Sequence, residues 1–198
     1  MPSPATRADD RYHHGDLRKA LLNAARTLLE ERGPAALSLR ELARRVGVSA
    51  PSVYHHFSSL DAIAVALAEQ GFTELTEGLE AAPIHAEGQL APTGHAYIAF
   101  ARANPGLYRL MFGEGFRDAS KGSQAVHALR ERAYEKVVAG LRTRLPADEL
   151  PVAALFLWSL AHGLALLMID RQVDAGADAE AVIRSVLRLA GVGLPPSA

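Results

Sequence analysis

The chain has 198 residues, 49% of them hydrophobic, with 21 Lys and Arg against 22 Asp and Glu and no cysteine. That length fits two modest domains or one large helical one around a real core, and the lack of cysteine excludes disulfides, thiolate metal sites and a cysteine nucleophile, as suits a reducing cytoplasm. The net charge of −1 hides an asymmetry, because residues 1–60 carry nine Lys/Arg and six Asp/Glu whereas residues 61–198 carry twelve and sixteen, so an anionic partner is expected at the N-terminal end.

Residues 1–12, M-P-S-P-A-T-R-A-D-D-R-Y, show no periodicity and read as a flexible arm. Its Arg7 and Arg11 could enter a minor groove or simply stay solvated. A first helix is predicted behind Asp16, with Leu17, Leu21, Ala24, Ala25 and Leu28 on one face and a stop at Glu31-Arg32-Gly33-Pro34. Ser38 and Glu41 have capping-box spacing, so a second helix should begin at Leu39 and bury Leu39, Leu42, Ala43 and Val46. Gly47 suits a left-handed helix end, with Val48 folding back on the pair. Ser49 then caps a third helix, expected over about Ala50 to Phe57, whose Pro51 sits where no N–H is required. Val53 and Phe57 form its buried edge and leave Ser52, Tyr54, His55 and His56 for other faces. Ser58 and Asp61 repeat the cap, and Ile63, Leu67 and Phe72 continue an apolar stripe along a fourth helix that should weaken between Gly78 and Pro83.

Three segments in order, G-D-L-R-K-A-L-L-N-A-A, S-L-R-E-L-A-R-R-V-G-V-S and S-V-Y-H-H-F, make residues 15–68 resemble the N-terminal DNA-binding domain of tetracycline-repressor (TetR) family regulators. The resemblance implies a helix-turn-helix unit at residues 13–60 and a helical ligand-binding and dimerisation domain at 61–198. It also implies that the third helix enters the major groove of double-stranded DNA. Ala50, Pro51, Ser52, Tyr54 and His55 would then face DNA, while Ser38 and Arg40 reach its backbone. Tyr54 has the alternative of closing the domain core. His56 is a candidate for phosphate contact or for packing beside Phe57. The chain departs from the family at Leu60, where a phosphate-contacting Lys usually stands, which removes one electrostatic contact per subunit.

Beyond a connection at residues 83–94, helical patterns recur at about 90–103, 105–113, 122–145, 148–173 and 178–192, and no strand alternation appears. The expected fold class is therefore all-α, with about nine helices. The apolar run Val152 to Ile169 nears the length of a membrane span, but Trp158, Ser159, His162 and Gly163 interrupt it and a buried helix is expected. The last two helices, Pro151 to Arg171 and Ala179 to Gly191, are very apolar. Leu155, Ala161, Leu164, Met168, Val182, Val186, Leu187 and Leu189 suggest an isologous homodimer, which the resemblance also implies. Tyr97, Phe100, Tyr108, Met111, Phe112, Phe116, Tyr134 and Trp158 come from several helices and either fill a core or line a cavity for an effector. The resemblance favours the cavity for the set.

Trp158-Ser159-Leu160-Ala161-His162-Gly163 resembles the W-x-x-x-H-G signature of one C-terminal subclass of the family, and residues 97–112 resemble its matching earlier helices. His162 is a candidate for a ligand hydrogen bond or for satisfying a buried carbonyl. No G-x-S-x-G elbow, phosphate-binding Gly-rich loop or H-E-x-x-H motif occurs, so neither an enzyme nor a cofactor is expected. His85, His95, His127 and His162 have no recognisable metal-ligand spacing. The reading is a cytoplasmic, homodimeric transcription regulator, a repressor released from a pseudo-palindromic operator by a small apolar effector. Activation stays open, as does a helical ligand-binding or scaffold protein that has lost DNA binding.

Overall fold

The computed structural model describes residues 14–82, 91–113, 116, 121, 123–142, 145–173 and 178–192. Among them all regular structure is helical, in nine α-helices and one 3-10 turn at Pro34–Ala36. The helices are α1 (His14–Arg32), α2 (Leu39–Val46), α3 (Ala50–Tyr54), α4 (Leu60–Ala81), α5 (Ala91–Ala103), α6 (Pro105–Phe112), α7 (Gln124–Leu141), α8 (Leu150–Ile169) and α9 (Ala179–Val192). The all-helical expectation holds. The N-terminal arm with Arg7 and Arg11, and residues 83–90 with His85, lie outside the described residues.

Serine hydroxyls set the first helix starts. Ser38 Oγ accepts the Glu41 N–H at 3.2 Å, but the Glu41 carboxylate does not return to Ser38 as a full capping box requires. It is held by Arg44 and Arg45, whose guanidinium groups offer stronger, charge-assisted bonds. Gly47 ends α2 at φ 78°, and the N–H groups of Gly47 and Val48 both donate to the Ala43 carbonyl, the left-handed stop that its sequence position called for. Ser49 caps α3, which closes at Tyr54 rather than running to Phe57. The N–H groups of His56 and Phe57 both converge on the Val53 carbonyl in a tightened last turn. The cap of α4 is Ser59, accepting from Ala62 at 3.1 Å, one residue later than the predicted Ser58. Helix α4 also runs through Gly78 instead of weakening there, because Thr76 and Leu79 on either side are buried.

The core runs without a break from the first three helices into the rest of the chain. Leu21, Leu28, Leu42 and Val53 share one apolar cluster with Ile63, Leu67, Phe72 and Leu75 of α4, and with Tyr97, Leu107 and Tyr108 of α5 and α6. Each fully buried Leu or Phe contributes about 1.5–3 kcal/mol. Helix α4 is the common spar, packed on α1, α5, α6 and α7. A second tie joins α1 to α6. The carboxylate oxygens of Glu30 accept the N–H groups of Gly106 and Leu107 at 2.8 and 3.0 Å, capping a helix start that Asn104 leaves uncapped. Arg26 of α1 meanwhile bonds both Glu74 of α4 and Asn104.

Helix α8 departs from the expectation of a buried helix. Only Ala154, Ala161, Leu164 and Ala165 are buried, and Val152, Leu155 and Phe156 are 73%, 64% and 52% exposed. Among the described helices it alone is long and apolar enough to cross a membrane, by length and composition, with 22% of its most apolar window buried. Of the residues expected to supply surplus apolar surface, Leu155 and Leu189 are exposed. Ala161, Leu164 and Leu187 are consumed by the chain's own core, and Met168, Val182 and Val186 are partly buried.

Candidate nucleic-acid interface and ligand cavity

Helices α2 and α3 pack together. On α3 and the turn after it, Ala50, Pro51, Tyr54 and His55 are exposed, and Ser52 and His56 are half-buried. Tyr54 is 58% exposed, which removes the alternative that it closes the core; Val53 and Phe57 do that. Ser49 Oγ and Ser52 Oγ lie 2.8 Å apart, so Ser52 has a local partner and keeps further acceptor capacity. Ser38 is exposed but engaged as the α2 cap.

The charged residues of α2 differ in how far they are compensated. Glu41 takes Arg44 and Arg45, and Arg45 also bonds Glu31 of α1 at 2.6 Å. The two guanidinium groups hold the Glu41 carboxyl down at about 2, and Arg45 likewise lowers Glu31. Both arginines are therefore compensated locally, and Arg45, bonded to Glu41 and Glu31 together, ties α2 to α1. Arg40 is exposed, and no acid partner reaches it among the described residues, which leaves its charge available to an external anion. Leu60 is partly buried against the core.

The second feature is a cavity of about 610 Å³ bounded by α4, α5, α7, α8 and α9, within the range of small-molecule sites. Its wall is made by Leu75 and Leu79 from α4, Gly94, His95 and Tyr97 from α5, Ala133 and Val137 from α7, Leu157, Trp158 and Ala161 from α8, and Arg184, Leu187 and Arg188 from α9, among others. Of the nine residues predicted from sequence to meet a ligand, Tyr97 and Trp158 lie on this wall. Tyr108, Met111 and Phe116 are buried in the main core, with Phe100 and Phe112 packed against it. Tyr134 stacks obliquely on Trp158 at 6.0 Å.

The rings pack on one another instead of opening a space. Phe112 meets Tyr108 at 4.8 Å, His162 at 4.9 Å, Phe72 at 5.6 Å and Trp158 at 6.4 Å between centroids, separations and tilts that favour aromatic pairs. They form a solid layer behind the wall that Tyr97 and Trp158 present. Phe72 was missed in the sequence because it reads as part of the α4 stripe.

Within that layer three polar atoms meet. Tyr108 Oη lies 2.6 Å and Tyr97 Oη 3.1 Å from His162 Nδ1, and the two hydroxyls are 3.0 Å apart. A neutral imidazole with its proton on Nε2 satisfies the set: Tyr97 donates to Tyr108, and Tyr108 donates to Nδ1. His162 thus satisfies buried hydroxyls, where a carbonyl or a ligand had been the sequence candidates. Burial raises both phenols above the ordinary tyrosine range and lowers His162. Because His162 resists protonation in the folded chain, the unfolded chain binds more protons as pH falls below about 6.5. Stability contributed by this group is therefore present at neutral pH and lost on acidification. The melting temperature should fall between pH 7.5 and 5.5, and the fall should be smaller for His162→Asn, which keeps an acceptor near the Nδ1 position. An equal fall in both proteins would place the acid sensitivity elsewhere.

No three His, Asp or Glu side chains gather in a metal-like cluster among the described residues. His95 bonds Glu180, and His127 lies exposed beside Glu131.

Comparison with known proteins places these features in context. Residues 21–67 match the family described as bacterial regulatory proteins, tetR family, and residues 90–190 match the tetracyclin repressor-like C-terminal domain. YobS of Bacillus subtilis, described as an uncharacterized HTH-type transcriptional regulator, is 29% identical over 168 residues, 83% of this chain and 85% of its own length. A structure of a protein of unknown function from Rhodococcus sp. RHA1 is 31% identical and superposes with a TM-score of 0.78 over 94% of this chain and 100% of that one. The TetR family regulator PfmR of Thermus thermophilus shares the fold at 24% identity and a TM-score of 0.67, over 86% of this chain and 96% of its own.

Proposed function

Because the chain belongs to the TetR family of bacterial regulatory proteins, a family of transcriptional regulators rather than enzymes, we propose that it is a homodimeric repressor that binds a pseudo-palindromic operator and leaves it when a small, largely apolar molecule fills the cavity. Residues 13–60 form the DNA-binding unit in this reading and residues 61–198 the ligand-binding and dimerisation unit. Trp158, His162 and Gly163 mark it as one of the W-x-x-x-H-G subclass, and its place of action is the cytoplasm, with the chromosome.

The observation that carries the proposal is the course of α4. Its first turns put Ile63 and Leu67 into the cluster that holds Leu42 and Val53, and its last turns put Leu75 and Leu79 on the cavity wall. One helix thus touches both the DNA-reading unit and the effector space. A ligand that prefers one setting of α4 shifts the separation of the two recognition helices in the dimer, and operator and ligand then oppose each other by the same factor. Ser38, Arg40, Ala50, Pro51, Ser52, Tyr54, His55 and His56 form the DNA-facing set. Tyr97 and Trp158 meet the ligand, with Phe100, Tyr108, Met111, Phe112, Phe116, Tyr134 and His162 as the layer that supports them.

Titration of the protein against DNA from its own upstream region, by gel shift, tests the first half. Tyr54→Ala should weaken specific binding about tenfold or more, given about 1–3 kcal/mol per good base contact, while its exposed position leaves the melting temperature unchanged. The alternative, a helical protein that has lost DNA binding, draws on Leu60, which packs inward where the family usually has a phosphate-contacting Lys. Equal, weak and salt-sensitive binding by wild type and variant would favour it.

A further inference from the structure

The apolar wall of the cavity is interrupted on one side by two cations. Arg184 and Arg188 are one turn apart on α9 and both border the space. Neither has an acid partner among the described residues. The acid one turn before Arg184 is Glu180, and its carboxylate is turned away toward α5, where His95 Nε2 at 2.6 Å and Arg102 hold it. The local acid is therefore spent on fixing α9 to α5, and among the described residues the two arginines that border the cavity stay uncompensated.

The exposed apolar residue of α9, Leu189, points another way. At 100° per residue it stands well off the side that carries Arg184, Arg188 and Gly191, so a partner copy seated over Leu189 leaves these arginines facing the cavity. Guanidinium groups bind a carboxylate through paired, charge-assisted hydrogen bonds. Leu79, Val137, Leu157 and Trp158 offer the opposite chemistry on the wall of the same cavity.

The geometry points to an amphipathic organic carboxylate as the occupant, its hydrocarbon body against the apolar wall and its head group between Arg184 and Arg188. This rests on reading the cavity as the effector site.

The test compares decanoate with decan-1-ol, equal in chain length and different in charge, using the fluorescence of Trp158, the only tryptophan in the chain and part of the wall. Decanoate should bind wild type about tenfold more tightly than the alcohol at low salt, and high salt should erode that margin. The Arg184→Gln/Arg188→Gln double variant should lose the preference and keep its affinity for the alcohol; both positions are exposed, so the fold is spared. Equal binding of the two probes, no binding of decanoate, or a preference that survives in the double variant would overturn the assignment. Operator release separates the two readings. Preferential decanoate binding that leaves operator affinity unchanged keeps the carboxylate site and defeats the effector reading; equal release by acid and alcohol does the reverse.

Discussion

Leu155→Glu combined with Phe156→Glu should convert the protein to a monomer and weaken operator binding by about 100-fold or more. Val152, Leu155, Phe156 and Leu167 lie on the outer side of α8, where an unusually large apolar surface meets solvent. Ser159 and Gly163 fall in the middle of this side, and beyond its own chain neighbours and helix backbone no atom of the described residues lies within 4 Å of where a Gly163 Cβ would stand. Small residues there let a partner helix approach closely, and the open space shows that no other described helix of the chain uses it. In the proposed two-fold interface each substitution occurs twice, and a carboxylate buried there without a cation costs several kcal/mol. Loss of the dimer also removes the linkage of two half-site contacts, worth about 10²–10⁴ in apparent affinity. Sedimentation and gel-shift titration read the two effects, and circular dichroism should show the helices retained, because the monomer core does not include these side chains. A variant that still sediments as the wild type would place the interface elsewhere.

Gly106→Ala should lower stability by about 3 kcal/mol, or roughly 6–12 °C in melting temperature for a chain of this size. An added Cβ would fall inside the van der Waals shell of the Leu29 carbonyl and 2.9 Å from the Glu30 nitrogen. These are backbone atoms in the last turn of α1, so relief requires α6 to move away as a body. That movement breaks the bonds from Gly106 and Leu107 to the Glu30 carboxylate, each worth about 1.5–3 kcal/mol as hydrogen bonds to a charged group. Glu30→Gln keeps the backbone approach and one acceptor oxygen, and should cost less. A Gly106→Ala melt within about 2 °C of wild type, well short of the roughly 6–12 °C drop expected, would mean that the α1–α6 contact is soft. Since α6 also carries Tyr108 and Phe112, the same contact connects the layer behind the cavity to the first helix of the DNA-reading unit.

The helix-turn-helix unit could be read from residues 38–57 because its signals are local. Serine caps, the Gly47 stop and apolar spacing act over three or four residues, and the errors there are boundary shifts, one residue at the α4 cap, Ser59 for Ser58, and three at the end of α3, Tyr54 for Phe57. The cavity was harder. Its wall depends on small residues, Ala133, Ala161 and Gly191, whose contribution is the volume they leave empty, and no periodicity marks an absence. The large aromatics drew attention instead, but rings pack well on each other, and His162 draws the Tyr97 and Tyr108 hydroxyls inward. The exposure of α8 was hidden for a related reason. A helix apolar on all sides carries no amphipathic signal, so sequence cannot say which face meets its own chain and which is left for a second copy. Arg184 and Arg188 did leave a mark, four residues apart on a largely apolar helix, but their meaning depended on where Glu180 points.

The most direct measurement is operator affinity with and without a compound known, from quenching of Trp158, to saturate the cavity. Opposed binding predicts that operator affinity falls when the cavity is filled, and that the compound binds the operator complex more weakly by the same factor. A tightly bound compound that leaves operator affinity unchanged would contradict the coupling through α4.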